Sequence, residues 1–154
     1  MIRLGLTIRP MEESDLPRVL EIEGKCFQAP WSKKAFLREL QDNKYSLYLS
    51  GWLDGRLVGY IGSWIIKDEL HITNLAVDPG YRRRGLATRL INNLMNFAED
   101  QGLKEVTLEV RVSNKAAIRL YEKLGFIPIG CYVGYYKNNN EDALVMWKGL
   151  KNEE

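Results

Sequence analysis

One stretch of the chain, residues 71–88, does most to restrict the fold, because a strand pattern there gives way to a helix pattern through a turn rich in Arg and Gly. Residues 71–77 are typical of a buried strand, and Asp78-Pro79-Gly80 ends it because Pro cannot continue the hydrogen-bonded ladder. After Gly85 the apolar residues recur at helical spacing, at Ala87, Leu90, Leu94 and Ala98. The first N–H groups of such a helix lack partners within it and lie at the positive end of its dipole. The turn therefore predicts a site for an anion such as a pyrophosphate.

Two common phosphate-binding motifs are absent from this turn. No Gly-Lys-Ser or Gly-Lys-Thr follows the glycine, as a Walker loop requires, and the three-glycine dinucleotide fingerprint is missing as well. The spacing Arg82-x-x-Gly85-x-Ala87 remains, in which Gly and Ala allow the backbone to approach a ligand closely.

A second motif follows the next strand pattern, at residues 105–112. Its residues are Asn114, Ala117, Leu120, Tyr121, Gly125 and Phe126. Together the two motifs resemble the signature of the GNAT acetyltransferases, which is Arg/Gln-x-x-Gly-x-Gly/Ala after the fourth strand and Asn-x-x-Ala-x-x-Leu-Tyr-x-x-x-Gly-Phe after the fifth. The resemblance implies an α/β class and a single-domain GNAT acyl-CoA N-acyltransferase fold, with a mixed central sheet flanked by helices.

Within that family the chain is most similar to the bacterial Rim-type N-terminal alanine acetyltransferases, which modify a ribosomal protein. Three stretches carry this similarity: residues 29–32, residues 108–111, and a C-terminal segment with Tyr135-Tyr136 and residues 141–143. The resemblance implies one domain over residues 1–154, a CoA-binding core at about residues 70–127, and acceptor-side elements at about residues 27–45 and 130–142.

The remaining hydrophobic patterns predict helices between strands. A strand at residues 6–9 is followed by a helix capped by Ser14, in which Pro17 is tolerated because it lies in the first turn. This helix is expected to pack Leu16, Val19, Leu20 and Phe27. Asp54-Gly55 is a hairpin signal between two strand patterns.

Acetyl transfer needs one group that takes a proton from an amine and another that gives one to a departing thiolate. Val106, Leu108, Val110 and Val112 alternate onto one face of the predicted strand, which leaves Glu109 on the other face. From spacing alone, Glu109 is either catalytic or a solvated residue paired with the neighbours of Arg111; the resemblance favours the catalytic role. The resemblance also makes Tyr121 the proton donor, and a phenol, with an ordinary pKa of about 10, is protonated at neutral pH. His71 is an alternative base, which we rank below Glu109 and expect to be a packed or substrate-rim residue.

The resemblance implies acetyl-CoA as cosubstrate, CoA as product, and no metal. The residues expected to contact the cosubstrate are Leu75, Ala76, Val77, Arg82, Arg83, Arg84, Gly85, Leu86, Ala87, Thr88, Asn114, Ala117 and Tyr121. Those expected to line the acceptor pocket are Pro30, Trp31, Asn74, Tyr135 and Tyr136, and ordinary core packing is the alternative role of the aromatic ones.

Composition narrows the function classes. The chain has 22 basic and 20 acidic residues, a net charge of +2, so we expect no nucleic-acid partner. No stretch has the length of a membrane span and no signal peptide is recognisable, which predicts a cytoplasmic location without a membrane partner. The 2 cysteines and 1 histidine do not match a metal-ligand pattern, a Cys-x-x-Cys motif or a histidine-based triad. We expect a monomer or weak dimer.

The resulting hypothesis is an acetyl-CoA-dependent N-acetyltransferase that acts on the N-terminal α-amine of a protein, a ribosomal protein beginning with Ala or Ser, by direct attack in a ternary complex. Two alternatives stay open. The same fold could act on a small amine, a polyamine or a lysine side chain, or it could be a non-catalytic acyl-CoA sensor.

Overall fold

Strands and helices alternate along the chain, as the hydrophobic periods predict. The computed structural model of the chain describes residues 5–151. In these residues the strands are β1 (Thr7–Pro10), β2 (Ser46–Leu53), β3 (Arg56–Ile66), β4 (Glu69–Val77), β5 (Glu105–Arg111), β6 (Ile127–Tyr136) and β7 (Glu141–Gly149). The α-helices are α1 (Leu16–Cys26), α2 (Lys33–Gln41), α3 (Leu86–Asp100) and α4 (Lys115–Lys123).

The seven strands have the order β1-β2-β3-β4-β5-β7-β6. β4 and β5 are parallel, with Glu69 opposite Glu105 and Ile72 opposite Leu108. The β1–β2, β2–β3, β5–β7 and β6–β7 pairs are antiparallel. A parallel pair needs a crossover connection, and α3 lies in the one between β4 and β5. The sheet is therefore mixed, which confirms the predicted α/β class.

The chain divides into two compact units. The first runs to Trp64 and includes Asn74–Leu94, and the second consists of Ile65–Thr73 and the residues from Met95 onward. In the first unit, α1 and α2 contribute apolar faces to a buried cluster that contains Leu16, Val19, Ile22, Phe36, Tyr48, Leu57 and Tyr60. In the second unit, Val106, Leu108 and Val110 of β5 are buried, as their alternation predicts.

Two predictions about the first helix are wrong. Ser14 does not cap α1, because Glu13–Asp15 form a 3-10 turn before it, and the Glu12 N–H donates to Asp15 Oδ2 at 2.8 Å. Phe27 is not packed with the apolar face of α1, since the helix ends at Cys26 and Phe27, in extended backbone, is 38% exposed.

Two turns behave as their residues predict. Asp54 and Gly55 have φ of 51° and 75°, the positive values of a type I′ hairpin turn, and they join β2 to β3. Gly102 follows α3 with φ of 77°, the left-handed conformation of a glycine C-cap.

Asp78 anchors the end of β4. Its Oδ1 accepts the Gly80 N–H at 3.0 Å, and its Oδ2 accepts a hydrogen bond from the Arg18 guanidinium. Arg18 Nε also donates to the Leu57 carbonyl at 2.9 Å. The Gly80 N–H, and then Arg18, lower the pKa of Asp78, although burial alone would raise it. These contacts fix the 3-10 turn Pro79–Tyr81 that leads towards α3.

We expect Asp78→Asn to lower the free energy of unfolding by about 1.5–3 kcal/mol, the usual contribution of a partly buried hydrogen bond to a charged group. Because the pKa of Asp78 is lowered in the fold, its contribution is present above the ordinary value of 3.8 and is lost as the pH falls through the folded value. Urea unfolding at pH 7 and pH 3 measures both effects.

Glu21→Gln is the matched control, because Glu21 also contacts Arg18 but its side chain is 53% exposed. Its loss should stay below about 1 kcal/mol. Equal losses in the two variants would contradict the anchoring role of Asp78.

Candidate active site

The turn before α3 has an unusual backbone. Arg83 and Gly85 have φ of 66° and 73°, both in the left-handed region. A Cβ added at Gly85 would meet no protein atom within 4 Å, so the positive φ rather than crowding selects glycine, and the space beside it is open. Left-handed residues interspersed in a turn direct successive N–H groups towards a common point, which suits an anion.

The start of α3 adds further donors. The Arg89 N–H donates to the Gly85 carbonyl at 3.1 Å, which is the first bond of the helix. The N–H groups of Leu86, Ala87 and Thr88 precede it and have no partner within α3. Since these donors lie at the positive end of a 15-residue helix, the turn fits a phosphate group.

Arginines surround the same turn. Arg84 lies over the Tyr81 ring with 5.1 Å to the centroid, and Arg82 Nη2 is 3.4 Å from Cys26 Sγ. A surface pocket of about 370 Å³ is lined by Leu53, Asp54, Arg56, Tyr81, Arg84, Leu86 and Arg89. We did not predict Arg56 or Arg89 from the sequence. A cation in the first turns of a helix is unfavourable because it lies at the positive end of the dipole. The position of Arg89 could therefore have indicated an anionic ligand, whereas the position of Arg56 could not.

Hydrogen bonds and ring contacts hold Trp31 and Asn74, two of the predicted acceptor residues of the first unit. The Trp31 N–H donates to Glu23 Oε2 at 2.9 Å, and its ring lies 5.3 Å from Phe36 and 6.5 Å from Tyr48. The Tyr48 hydroxyl donates to Asn74 Oδ1 at 2.8 Å. Trp31 and Asn74 are thus connected through Tyr48.

Other residues predicted in the first unit differ in exposure. Pro30 is exposed, and Leu75 is half-buried. Ala76 and Val77 are buried, and the Val77 carbonyl accepts from Cys26 Sγ at 3.4 Å. Burial raises the pKa of the Cys26 thiol, which does not favour a thiolate nucleophile.

Glu109 in the second unit is not a solvated carboxylate. Its side chain is 15% exposed, and Oε1 lies 3.0 Å from His71 Nε2 and accepts from the Tyr135 hydroxyl at 3.3 Å. Arg111 pairs instead with Glu141 at 3.1 Å. The low exposure contradicts the solvated part of the alternative for Glu109.

The contact of His71 with Glu109 was not predicted from the sequence. Its Nδ1 lies 2.8 Å from the Thr107 hydroxyl, which donates to Glu69 Oε2 at 2.8 Å. The hydrogen bond with Glu109 is the main reason that the pKa of His71 lies above 6.5, and it outweighs burial. Register explains the contact, because His71 is opposite Thr107 and Glu109 follows two residues later on the same face of β5.

Tyr121 and Asn114 have different environments. Tyr121 is 8% exposed and its ring lies 5.8 Å from that of Phe126. Burial raises the pKa of its phenol, so the hydroxyl stays protonated at neutral pH. Asn114 is the N-cap of α4, with its Oδ1 accepting the Ala117 N–H at 3.2 Å. Ala117 is half-buried in the first turn of that helix.

Tyr135 and Tyr136 form an aromatic group at the end of β6. Their rings are 5.1 Å apart, and the Arg111 guanidinium lies 4.0 Å from the centroid of Tyr136. Burial raises the pKa of Tyr136 to about 12. Both phenols are therefore neutral hydrogen-bond donors at physiological pH.

Residues 5–151 contain no cluster of three or more His, Cys, Asp or Glu suited to a metal ion. Nor does any helix in this part of the chain have the length and apolar character needed to cross a membrane.

Residues 16–126 match the acetyltransferase (GNAT) family. The chain belongs to this family. Its sequence is 38% identical over 144 residues to the ribosomal protein bS18-alanine N-acetyltransferase of Escherichia coli strain K12, covering 91% of this chain and 95% of that relative. The crystal structure of the ribosomal-protein-S18-alanine N-acetyltransferase from Escherichia coli has a TM-score of 0.87 at 34% identity, covering 95% of this chain and 94% of that one.

The GNAT fold is also that of Arabidopsis thaliana NAA60, whose crystal structure in complex with acetyl-CoA has a TM-score of 0.83 at 22% identity, covering 94% of this chain and 98% of that one. These findings confirm the family and the N-acetyltransferase class. The roles of individual site residues, the ranges of the CoA and acceptor segments, and the oligomeric state stay predictions.

We expect Asn114→Ala to lower the free energy of unfolding by about 0.5–2 kcal/mol without any ligand, because it removes the N-cap of α4. Asn114→Asp is the control, since an Asp oxygen also caps a helix and should preserve stability. Urea unfolding of the ligand-free protein measures both. A wild-type stability in the Ala variant would mean that the Ala117 hydrogen bond contributes nothing to the fold.

Proposed function

We propose that this chain transfers the acetyl group of acetyl-CoA to the N-terminal α-amine of a ribosomal protein that begins with Ala or Ser. The observation that carries the proposal is the environment of Glu109, a largely buried carboxylate held by His71 and Tyr135 at 3.0 and 3.3 Å. Such a group is a positioned proton acceptor. The similarity to the E. coli bS18-alanine N-acetyltransferase supports the acceptor class.

The first unit supplies the contacts to the phosphates. The N–H groups of the turn at residues 82–88 would donate hydrogen bonds to the pyrophosphate of CoA, and Arg82, Arg83 and Arg84 would add positive charge. The lining of the pocket with Arg56 and Arg89 supports an anionic ligand here. The backbone of Leu75, Ala76 and Val77 would face the acyl arm and donate an N–H to the thioester oxygen as it gains charge.

The second unit supplies the proton transfers. When bound, acetyl-CoA supplies a thioester carbon open to attack by an amine. Glu109 takes a proton from the amine, directly or through one water, as the carbon–nitrogen bond forms, and Tyr121 gives its phenolic proton to the sulfur as the carbon–sulfur bond breaks. Between turnovers Glu109 releases its proton to solvent and Tyr121 regains one from solvent, so the net change moves one proton from the amine to the thiol. Asn114 and Ala117 border the arm on α4. Cys26 and Cys131 take no part, so no acyl-enzyme forms.

The acceptor is positioned by aromatic residues. Trp31, with Pro30 before it, and Asn74 would contact the first residues of the acceptor peptide in the first unit. Tyr135 and Tyr136 would do so in the second unit, where the Tyr135 hydroxyl reaches the same Glu109 oxygen as His71. Tyrosine and tryptophan suit this task because they combine apolar area with a polar group.

A peptide panel tests the donor and the acceptor together. We expect acetyl transfer from acetyl-CoA to peptides with a free N-terminal Ala or Ser, and little transfer to peptides with N-terminal Met or a blocked terminus. Mass spectrometry locates the acetyl group and thiol release counts turnovers. Each peptide is made with and without an internal Lys. Modification of that Lys in a blocked peptide would instead identify a lysine acetyltransferase, and acetyl-CoA binding without any peptide modification would favour a small-amine acceptor or a sensor.

We expect Glu109→Gln and Tyr121→Phe each to lower kcat by about 10²–10⁴-fold, the usual contribution of a general base or acid. The control is Glu122→Gln, which removes an exposed carboxylate next to Tyr121 in the sequence and should retain activity. Steady-state kinetics with a free N-terminal Ala peptide and thermal unfolding of each variant separate catalysis from folding. Full activity in the Glu109→Gln, Tyr121→Phe double variant would refute these roles.

A further inference from the structure

Four side chains form a continuous hydrogen-bonded row in the second unit. Glu69 Oε2 and the Thr107 hydroxyl are 2.8 Å apart, Thr107 and His71 Nδ1 are 2.8 Å apart, and His71 Nε2 and Glu109 Oε1 are 3.0 Å apart. Thr107 is 9% exposed, and the side chains of His71 and Glu109 are 21% and 15% exposed. Limited contact with water makes the direction of each hydrogen bond important.

The chemistry of the row fixes the imidazole tautomer. An ionised carboxylate only accepts hydrogen bonds, so the single proton of the Thr107 hydroxyl points to Glu69. The Thr107 oxygen then acts only as an acceptor towards His71, which places an N–H on Nδ1. In neutral His71 the lone pair is therefore on Nε2, the nitrogen that faces Glu109.

One proton is consequently shared by His71 and Glu109. With that proton present, the pair is either imidazolium and carboxylate or imidazole and carboxylic acid, and the 3.0 Å contact is a hydrogen bond in both forms. Without it, the Nε2 lone pair faces a carboxylate and the pair attracts a proton. The proton-free pair therefore has a place for one proton between Glu109 Oε1 and His71 Nε2.

We propose that His71 is a positioning residue that acts through Glu109: the proton that Glu109 takes from the acceptor amine is held between Glu109 Oε1 and His71 Nε2, and Thr107 and Glu69 maintain the tautomer that allows this. This inference rests on the proposed role of Glu109 in acetyl transfer. The proton balance is simple, since the N–H bond of the amine breaks and an N–H or O–H bond of the pair forms. The proton then leaves to solvent between turnovers.

The titration properties of the surrounding groups agree with this role. The pKa of His71 lies above 6.5, raised first by the hydrogen bond with Glu109 and also by the charge of Glu69. Tyr135 and Tyr136 face Glu109 from β6, and burial raises the pKa of both phenols, so neither ionises near neutral pH. A base whose pKa is close to the operating pH is the most effective in proton transfer.

NMR tests the pair without any catalytic assay, because the chain has 1 histidine and its imidazole signals are unambiguous in protein without an affinity tag. We expect the His71 pKa to lie above 6.5 in the wild type and to fall in Glu109→Gln. Thr107→Val should shift the nitrogen signals away from the Nδ1–H tautomer, and Thr107→Ser, which retains a hydroxyl, should restore them. An unchanged His71 pKa in Glu109→Gln would overturn the inference.

Kinetics tests the consequence. In His71→Gln, which forms hydrogen bonds but does not titrate, we expect kcat to fall by about 10- to 100-fold, less than the 10²–10⁴-fold loss for the base itself. The acidic limb of kcat against pH should move to lower pH relative to the wild type. The acceptor peptide is the same in both enzymes, so its own amine cannot cause that difference. A lower kcat with an unmoved limb would show a structural role only and would overturn the inference.

Stability gives a third readout. Because the pKa of His71 is raised in the fold, the pair contributes stability below about pH 6.5, and this contribution is lost as the pH rises through the folded value. The difference in Tm between the wild type and His71→Gln should therefore shrink from pH 5.5 to pH 8.5.

If the wild type transfers no acetyl group, the proposed function fails and the inference fails with it. If the wild type is active and His71→Gln has an unchanged pH limb, only the inference fails.

Discussion

The parallel pairing of β4 with β5 is the constraint on which the candidate site depends. A parallel pair cannot be closed by a tight hairpin, so the chain must cross over between the strands, and it does so through the turn at residues 82–88 and α3. The same register puts His71 opposite Thr107, and Glu109 follows on the same face of β5. A shift of one residue would turn Glu109 to the opposite face of the sheet. One pairing thus determines both the crossover that carries the arginine-rich turn and the partner of the proposed base.

Buried carboxylates organise the first unit in a similar way. Glu23 is 2% exposed and accepts hydrogen bonds from the Trp31 N–H and the Tyr60 hydroxyl. Glu39 is 8% exposed and accepts from Asn43 and the Trp64 indole. Burial raises the pKa of Glu23, whereas the hydrogen bonds from Trp31 and Tyr60 lower it. One such group, Glu23, thus holds both Trp31 and Tyr60 in place.

The sequence was sufficient for features that depend on local physics. Asp54-Gly55 forms a hairpin turn, and alternation along β5 places Val106, Leu108 and Val110 in the interior. Prediction from the sequence failed where a contact joins residues distant in the chain. It also failed where two local backbone conformations compete, as at the start of α1. His71 and Glu109 are 38 residues apart and meet only through strand register. Ser14 is a residue type that often caps helices, but residues 13–15 form a 3-10 turn before α1. The Asp15 carboxylate accepts the Glu12 N–H in that turn.

The backbone at Arg83 and Gly85 has a consequence for how the enzyme would respond to its surroundings. The positive φ values at these residues belong to the left-handed region, which glycine adopts at no steric cost, so Gly85 suits this turn. In the proposed function this turn contacts only the phosphate end of the cosubstrate, which is identical in acetyl-CoA and in spent CoA. It would retain the product as readily as the donor. The rate of modification would then follow the ratio of acetylated to free CoA, and so the metabolic state of the cell, rather than the concentration of acetyl-CoA alone.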